Sequence, residues 1–320
     1  MSCPIGVDVV HAARLLREGK LVSFATETVY GLGANALDVN AVARVFAVKN
    51  RPHFDPLIVH IAERTWLRRL VTVWSATAER LANHFWPGPL TLVLPKTELV
   101  PDLVTSGLPS VALRMPSHPL ALELLRLADV PVAAPSANLF GQLSPTCAEH
   151  VADRLGDQID YLLDGGPCEI GVESTVLLLE PGRTVLLRPG GVPLEDIESL
   201  IGSIELPSRA TTSDREAAPS PGMLPQHYAP RTPLMIVEKI DTLTSPGRCG
   251  LLTLQPDPAA GCFASVEVLS AGGDLTEAAA NFFAALRRLD AARVERIVAL
   301  PFPNHGLGRA LNDRLTRAAH

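Results

Sequence analysis

The 320-residue chain carries 28 Lys+Arg against 34 Asp+Glu, a formal charge of −6, with 47% hydrophobic and 19% charged residues. This is the profile of a folded globular protein long enough for two cores, and it excludes a disordered chain. The acidic balance disfavours a module that mainly grips nucleic acid, and no apolar run approaches the ~18 residues of a membrane span.

Residues 8–18 read as an amphipathic helix stopped by Gly19, and Leu21–Ala25 as the first strand. The strand delivers Thr26-Glu27-Thr28 into a turn closed by Gly31 and Gly33. A helix with Val42, Val45 and Phe46 on one face then ends in Lys49-Asn50-Arg51-Pro52, and Leu57-Ile58-Val59 delivers His60. The unit gathers hydroxyls, two cations and an imidazole near strand ends, where open α/β sheets bind ligands. An anionic ligand is expected.

Ser75 opens the next helix, which runs into Trp86-Pro87-Gly88-Pro89. Strands are predicted at Leu90–Leu94, Val111–Arg114 and Val132–Ala134, with a helix at 119–128. A helix over 147–155 follows, with Pro145 placed in its first turn, and then strands at Tyr161–Leu163, Thr175–Leu179 and Val185–Leu187. The alternation predicts an α/β domain with a twisted mixed sheet over residues 1–204. Residues 205–230 are rich in Pro, Ser and Ala and read as a linker. From 231 to 320 the alternation resumes, with strands at Leu234–Val237, Leu251–Leu254, Val266–Leu269 and Ile297–Leu300 and helices at 276–292 and 307–319. It predicts a small doubly wound α/β domain.

Five cysteines without a C-x-x-C pair, and nine histidines without metal-ligand spacing, point to a reducing, cytoplasmic setting. Any metal is expected to arrive with substrate, as Mg2+ on a nucleotide.

Each candidate side chain has an ordinary reading on its own. Lys49 and Arg51 could complement a helix dipole, Arg114 could snorkel, Ser136, Asn138 and Ser174 could cap turns, and His60 could be a buried histidine with a backbone partner. Two cations beside a hydroxyl-rich loop favour phosphate, because charge-assisted contacts to phosphate are strong. An arginine fork such as that of Arg114 suits a carboxylate. Gly31-x-Gly33-x-x-Ala36 fits a relaxed dinucleotide fingerprint, but basic Lys49-Asn50-Arg51 stands where a ribose-binding acid is wanted. There is no Walker A, G-x-S-x-G or paired-carboxylate signature.

TETVYGLG, KNRP, PLIVH, WPGPLTLVL, VALRMPSHP, APSANLFG, GVESTV and LLRPGG run in this order along the chain. Together they resemble the YrdC-type threonylcarbamoyl-AMP synthase family, and the region after the linker is similar to its two-domain branch. The resemblance implies a YrdC-like twisted mixed sheet with flanking helices plus a small Rossmann-like domain. It implies that L-threonine, bicarbonate or CO2, and ATP are joined into threonylcarbamoyl-AMP and pyrophosphate for tRNA threonylcarbamoyladenosine modification. By position, Thr28, His60, Arg114, Ser136 and Ser174 would surround L-threonine. Lys49, Arg51, Asp55, Ser110, Asn138, Thr146, Arg188 and Tyr228 would lie along ATP, with Lys49 and Arg51 neutralising charge during reaction. Residues 220–230 would form a lid over the site.

The chain departs from the family at three places: Ala25 stands where Pro is common, Asp55 where Asn is usual, and Leu224-Pro225-Gln226 before the HYAP stretch. An aspartate near phosphates requires a cation to offset it. The resemblance leaves room for hand-off of the product to the tRNA threonylcarbamoyl-transferase complex and for weak tRNA contact. The alternative from another class is a double-stranded RNA or tRNA-binding module; carbamoyl transfer to a different acceptor ranks last.

Overall fold

The computed structural model describes residues 3–206, 228–240 and 246–319, so 220–227 of the expected lid lie outside the described residues. The first region contains β1 (Ile5–Gly6), α1 (Val9–Arg17), β2 (Val22–Phe24), β3 (Gly31–Asn35), α2 (Val39–Lys49) and β4 (Ile58–His60). It continues with α3 (Leu67–Leu70), α4 (Ala76–Phe85), β5 (Leu90–Pro95), α5 (Asp102–Thr105), β6 (Ser110–Arg114), α6 (Pro119–Ala128) and β7 (Val132–Ala133). It closes with α7 (Ala148–Leu155), β8 (Tyr161–Leu163), β9 (Thr175–Glu180), β10 (Arg183–Arg188) and α8 (Leu194–Ile201). The second region has β11 (Leu234–Ile236), β12 (Cys249–Thr253), β13 (Ser265–Val268), α9 (Leu275–Ala291), β14 (Arg296–Ala299) and α10 (Gly308–Ala318).

Local chemistry accounts for most boundaries. Asp8, Asp38 and Ser75 each cap a helix by accepting from backbone N–H groups in its first turn. Asn50 ends α2 in the left-handed conformation that asparagine tolerates. Three predictions are corrected. Pro145 is not in the first turn of α7, whose N-cap is Cys147. The sequence reading also passed over α8, where Pro193 leads into an amphipathic stretch. Gly31 and Gly33 do not close a turn; they lie in β3, antiparallel to β2. A Cβ on Gly33 would stand 2.8 Å from Phe24 Cε1 and 2.9 Å from Val132 Cγ1, so this glycine serves close packing in the sheet. That placement removes the dinucleotide fingerprint.

The larger sheet is mixed and ten-stranded, in the order β1-β8-β2-β3-β7-β4-β6-β5-β9-β10. Alternate strand residues divide between its faces. One set, including Leu32, Val59, Leu92, Leu113 and Leu177, packs in the main core with side chains of α2, α4, α5, α7 and α8. On the opposite face α1 and α6 cover Val22, Phe24 and Val132 at one end. The rest of that face has only a small apolar floor of Ile58, Val93, Ala112, Val176, Val185 and Leu187. A hollow is left beside that floor.

The smaller sheet is parallel, in the order β11-β14-β12-β13. Helices α9 and α10 pack with Leu252, Ile297 and Ala299 of one face, while Leu251 and Val298 of the other pack with Ile240 and Phe263 from irregular segments. The helix-side core runs on into Val29, Leu143, Val172 and Tyr228, so it joins the two regions. Gly171, at φ +75°, brings the first region's backbone against α9: a Cβ there would lie 2.4 Å from Ala279 O and 2.5 Å from Ala280 Cα. Glycine alone allows that approach.

Candidate active site

The hollow on the open face becomes a cavity of about 50 Å³, and its walls include Thr28, His60, Arg114, Ser136 and Ser174 together with Arg51, Arg188 and Tyr228. All five side chains assigned to threonine share this one cavity with three of those assigned to ATP. The expectation of a site near strand ends holds for these side chains: His60, Arg114 and Arg188 are the last residues of β4, β6 and β10, and Ser174 stands just before β9, while Ile58 at the start of β4 extends the cavity onto the sheet face.

Sheet register brings these groups together. His60 on β4 is paired with Arg114 on β6, and Thr91 on β5 is opposite Arg114. Gly31 bridges to Ser136. Arg188 reaches this face because β10 carries an irregularity between Leu186 and Arg188: regular alternation from Val185 and Leu187 would turn Arg188 away, but the shift pairs it with Val176 on the cavity side. A bulge re-aims a side chain in this way.

Every buried Lys, Arg, Asp and Glu among the described residues either lines this cavity (Arg51, Arg114, Glu173 and Arg188) or contacts a residue that does (Glu27, Lys49, Asp55 and Arg314). Five cations against three carboxylates leave a positive surplus in an acidic chain, which suits an anionic ligand. Arg51 pairs with Asp55 at 2.9 Å, both buried, and donates to the carbonyls of Asp55 and Pro56 at 2.9 and 2.8 Å. The charge that Asp55 introduces is thus offset by Arg51. Arg114 pairs with Glu27 at 2.7 Å and donates to Thr28 Oγ1 at 2.9 Å and Gly88 O at 3.3 Å. Arg188 donates to Ser174 O at 2.9 Å and to its Oγ at 3.2 Å, and Ser174 Oγ lies 2.8 Å from Thr91 Oγ1.

His60 is buried against Phe24, its ring edge-on at 6.3 Å, and its Nδ1 has no hydrogen-bond partner. Burial first, then the positive charge of Arg114, hold its pKa down to about 3, so it is neutral at ordinary pH. Burial of Glu173 alone would raise its pKa, but Arg314, Arg188 and the Ser144 hydroxyl more than offset this and keep it below the usual carboxylate value.

The structure does not put Lys49, Asp55, Ser110, Asn138 or Thr146 on the cavity wall. Lys49 is buried at the end of α2 and donates to Ser136 O at 2.6 Å and Asn138 O at 2.5 Å, so it ties down the PSAN loop. Burial, followed by the charge of Arg51, pulls its pKa well down. Asn138 donates to Leu139 O and Gln142 O, and Thr146 N donates to His150 Nδ1. Ser110 begins β6 four residues before Arg114, about 13 Å along an extended strand.

Three charged participants were missed by sequence reasoning: Glu27, which pairs with Arg114, and Glu173 and Arg314. Glu173 lines the cavity, accepts from Ser144 Oγ at 2.5 Å, and pairs with Arg314 of α10 at 2.8 Å. Arg314, wholly buried, also donates to Pro189 O at 2.9 Å and stacks over the Tyr228 ring at 5.2 Å. The charged GRALNDR run of the last helix was the available signal. Tyr228 itself is buried at φ 64°, its ring 5.7 Å from that of Phe283, and the next residue, Ala229, donates to Gly141 O at 2.8 Å. A left-handed tyrosine is uncommon and is held here by packing on all sides.

The family described as telomere recombination, Sua5-YciO-YrdC, matches residues 14–190, and the threonylcarbamoyl-AMP synthase C-terminal domain matches residues 192–320. The chain belongs to the threonylcarbamoyl-AMP synthase family. It is 46% identical to the threonylcarbamoyl-AMP synthase of Pyrococcus abyssi, over 96% of this chain and 93% of that protein. It is equally 46% identical to that of Bacillus subtilis, over 98% and 93%. A crystal structure of P. abyssi Sua5 complexed with L-threonine superposes with a TM-score of 0.91 at 43% identity, covering 100% of this chain and 98% of that one. As a member of this synthase family the chain is an enzyme of the transferase class. No described helix is long and apolar enough to cross a membrane.

Proposed function

We propose that this enzyme is an L-threonylcarbamoyladenylate synthase, a nucleotidyltransferase that works in the cytoplasm and supplies tRNA threonylcarbamoyladenosine modification. The observation that carries the reading is the single buried cavity joining five polar side chains suited to an amino acid with Arg51 and Arg188, which are suited to phosphate. In this reading Arg114 takes the threonine carboxylate with its planar fork, oriented by Glu27. Thr28, Ser136 and Ser174 and the neutral His60 offer uncharged hydrogen-bonding groups around the rest of the amino acid.

The amine takes up CO2, from bicarbonate, as a carbamate. A carbamate oxygen then attacks the α-phosphorus of ATP, a new P–O bond forms, and the bond to the β-phosphate oxygen breaks to release pyrophosphate. Arg51 and Arg188 neutralise the charge that converges during this step. Lys49 acts by holding the loop that carries Ser136 and Asn138. Carbamates decompose readily in water, and Tyr228 at the cavity wall, with Arg314 behind it, supports exclusion of solvent.

Among the described residues no group of three His, Cys, Asp or Glu is arranged to hold a metal. Asp55 and Glu173 are both paired with arginines. In this reading magnesium enters with the nucleotide, as MgATP. The proposed division of the chain is a catalytic domain over 1–204, a linker and lid over 205–230, and a small domain over 231–320. Hand-off of the labile product to the tRNA-modifying transferase complex belongs to the same reading.

The test is pyrophosphate release from ATP with and without L-threonine and bicarbonate. Release that depends on both, and falls ten- to hundredfold in Arg51→Ala through loss of a charged hydrogen-bond partner, is expected. Release indifferent to threonine would overturn the reading.

A further inference from the structure

A second concavity of about 430 Å³ lies between the two regions, well within the size of small-ligand sites. It shares no lining residue with the catalytic cavity. Its charged groups come from three separate segments: His150, Asp153 and Arg154 of α7, Arg231 just after Tyr228, and Arg287 and Asp290 of α9. Neither Arg154 nor Arg231 makes a hydrogen bond or ion pair within the described residues. Arg287 donates from Nη2 to Leu143 O at 2.6 Å, yet its Nε is buried with no acceptor.

Burial, and next the positive charge of Arg154, pull the Arg287 pKa down to about 10. Two guanidinium groups this close repel unless an anion lies between them. Asp153 and Asp290 face the same groove, and Asp290 Oδ1 already accepts from Thr232 N at 2.7 Å. Burial and Arg287 hold His150 near neutral, its pKa down to about 4. The net surplus is one positive charge. A compact anion satisfies that surplus, whereas the two carboxylates would repel the extended backbone of a nucleic acid.

We propose that this groove is a second phosphate-binding site, in which a small phosphate-bearing anion bridges Arg154, Arg231 and Arg287. Guanidinium forks match phosphate oxygens, and an unpaired buried N–H such as Arg287 Nε is the group that gains most from an added acceptor. The ligand would join the catalytic region, the end of the linker and the small domain at one point. Through the linker the groove bears on the catalytic cavity: Ala229, between Tyr228 and Arg231, is bridged to Gln142. A bound anion therefore stabilises the arrangement in which Tyr228 closes the cavity.

The probe is inorganic pyrophosphate, titrated calorimetrically into the full chain, into Arg154→Gln/Arg231→Gln and into Arg51→Ala. Two ions per chain are expected in the parent and one in each variant, with the groove site weakened at least tenfold by losing two guanidinium groups. Arg154 and Arg231 have no hydrogen bond or ion pair among the described residues to lose, so their removal is expected to leave folding intact. If the parent bound one ion and the double variant none, the groove would stand while the phosphate role of Arg51 would fall. Unchanged stoichiometry and affinities in the double variant overturn the proposal, as does groove binding detected only with duplex RNA. The same titrations with ADP show whether the phosphate is carried by a nucleotide or is free.

Discussion

Replacing Arg314 with methionine removes a charge that α10 places against Glu173 of the cavity wall. Arg314 is completely buried, with partners at 2.8 Å on Glu173, 2.6 Å on Asp313 and 2.9 Å on Pro189 O. Asp313 keeps Arg317 at 3.0 Å after the change, but Glu173 keeps only the hydroxyl of Ser144 and the nearby charge of Arg188. Removing one member of a buried pair leaves an uncompensated charge and costs about 3–5 kcal/mol. The cost is read from the denaturant midpoint at constant slope. Adding Glu173→Gln removes the stranded charge, so the double variant should recover about half or more of the lost stability. Pyrophosphate release should fall in both, because Tyr228 loses the guanidinium stacked over its ring. A single variant within 1 kcal/mol of the parent, or a double variant no more stable than Arg314→Met, would refute the reasoning.

Arg114→Lys should raise the Michaelis constant for threonine at least tenfold while that for ATP changes little, since a point charge cannot keep the fork geometry; steady-state kinetics with each substrate varied decides it. Gly33→Ala should destabilise by about 1–3 kcal/mol through overpacking against Phe24 and Val132, measured by chemical denaturation. His60, held at about 3 when folded, binds its proton more readily when unfolded, at about 6.5. Stability should therefore fall as pH drops below 6.5 and go on falling towards 3, and His60→Gln should flatten part of that slope in pH-dependent melting.

Element type was legible because each segment encodes it locally. Helix α6 and strand β8 fall at 119–128 and 161–163 as expected from apolar spacing alone. Short α3 and α5, of four residues each, carry too few turns for a periodic signal. The site was legible in its residue types, and the five side chains that the family resemblance assigns to threonine line one cavity. What the sequence did not determine was where those residues face. Gly31 and Gly33 look like a loop until β2 and Val132 pack against them. Alternation along β10 turns Arg188 away from the cavity, and only the irregular pairing with β9 turns it back. Glu173 and Arg314 are 141 positions apart, and nothing near either residue announces the other. Local pattern sets which elements form, because hydrophobic spacing and caps act within a few residues. Strand register and domain docking decide which charges meet in a buried site, because those contacts exist only after the chain has folded on itself.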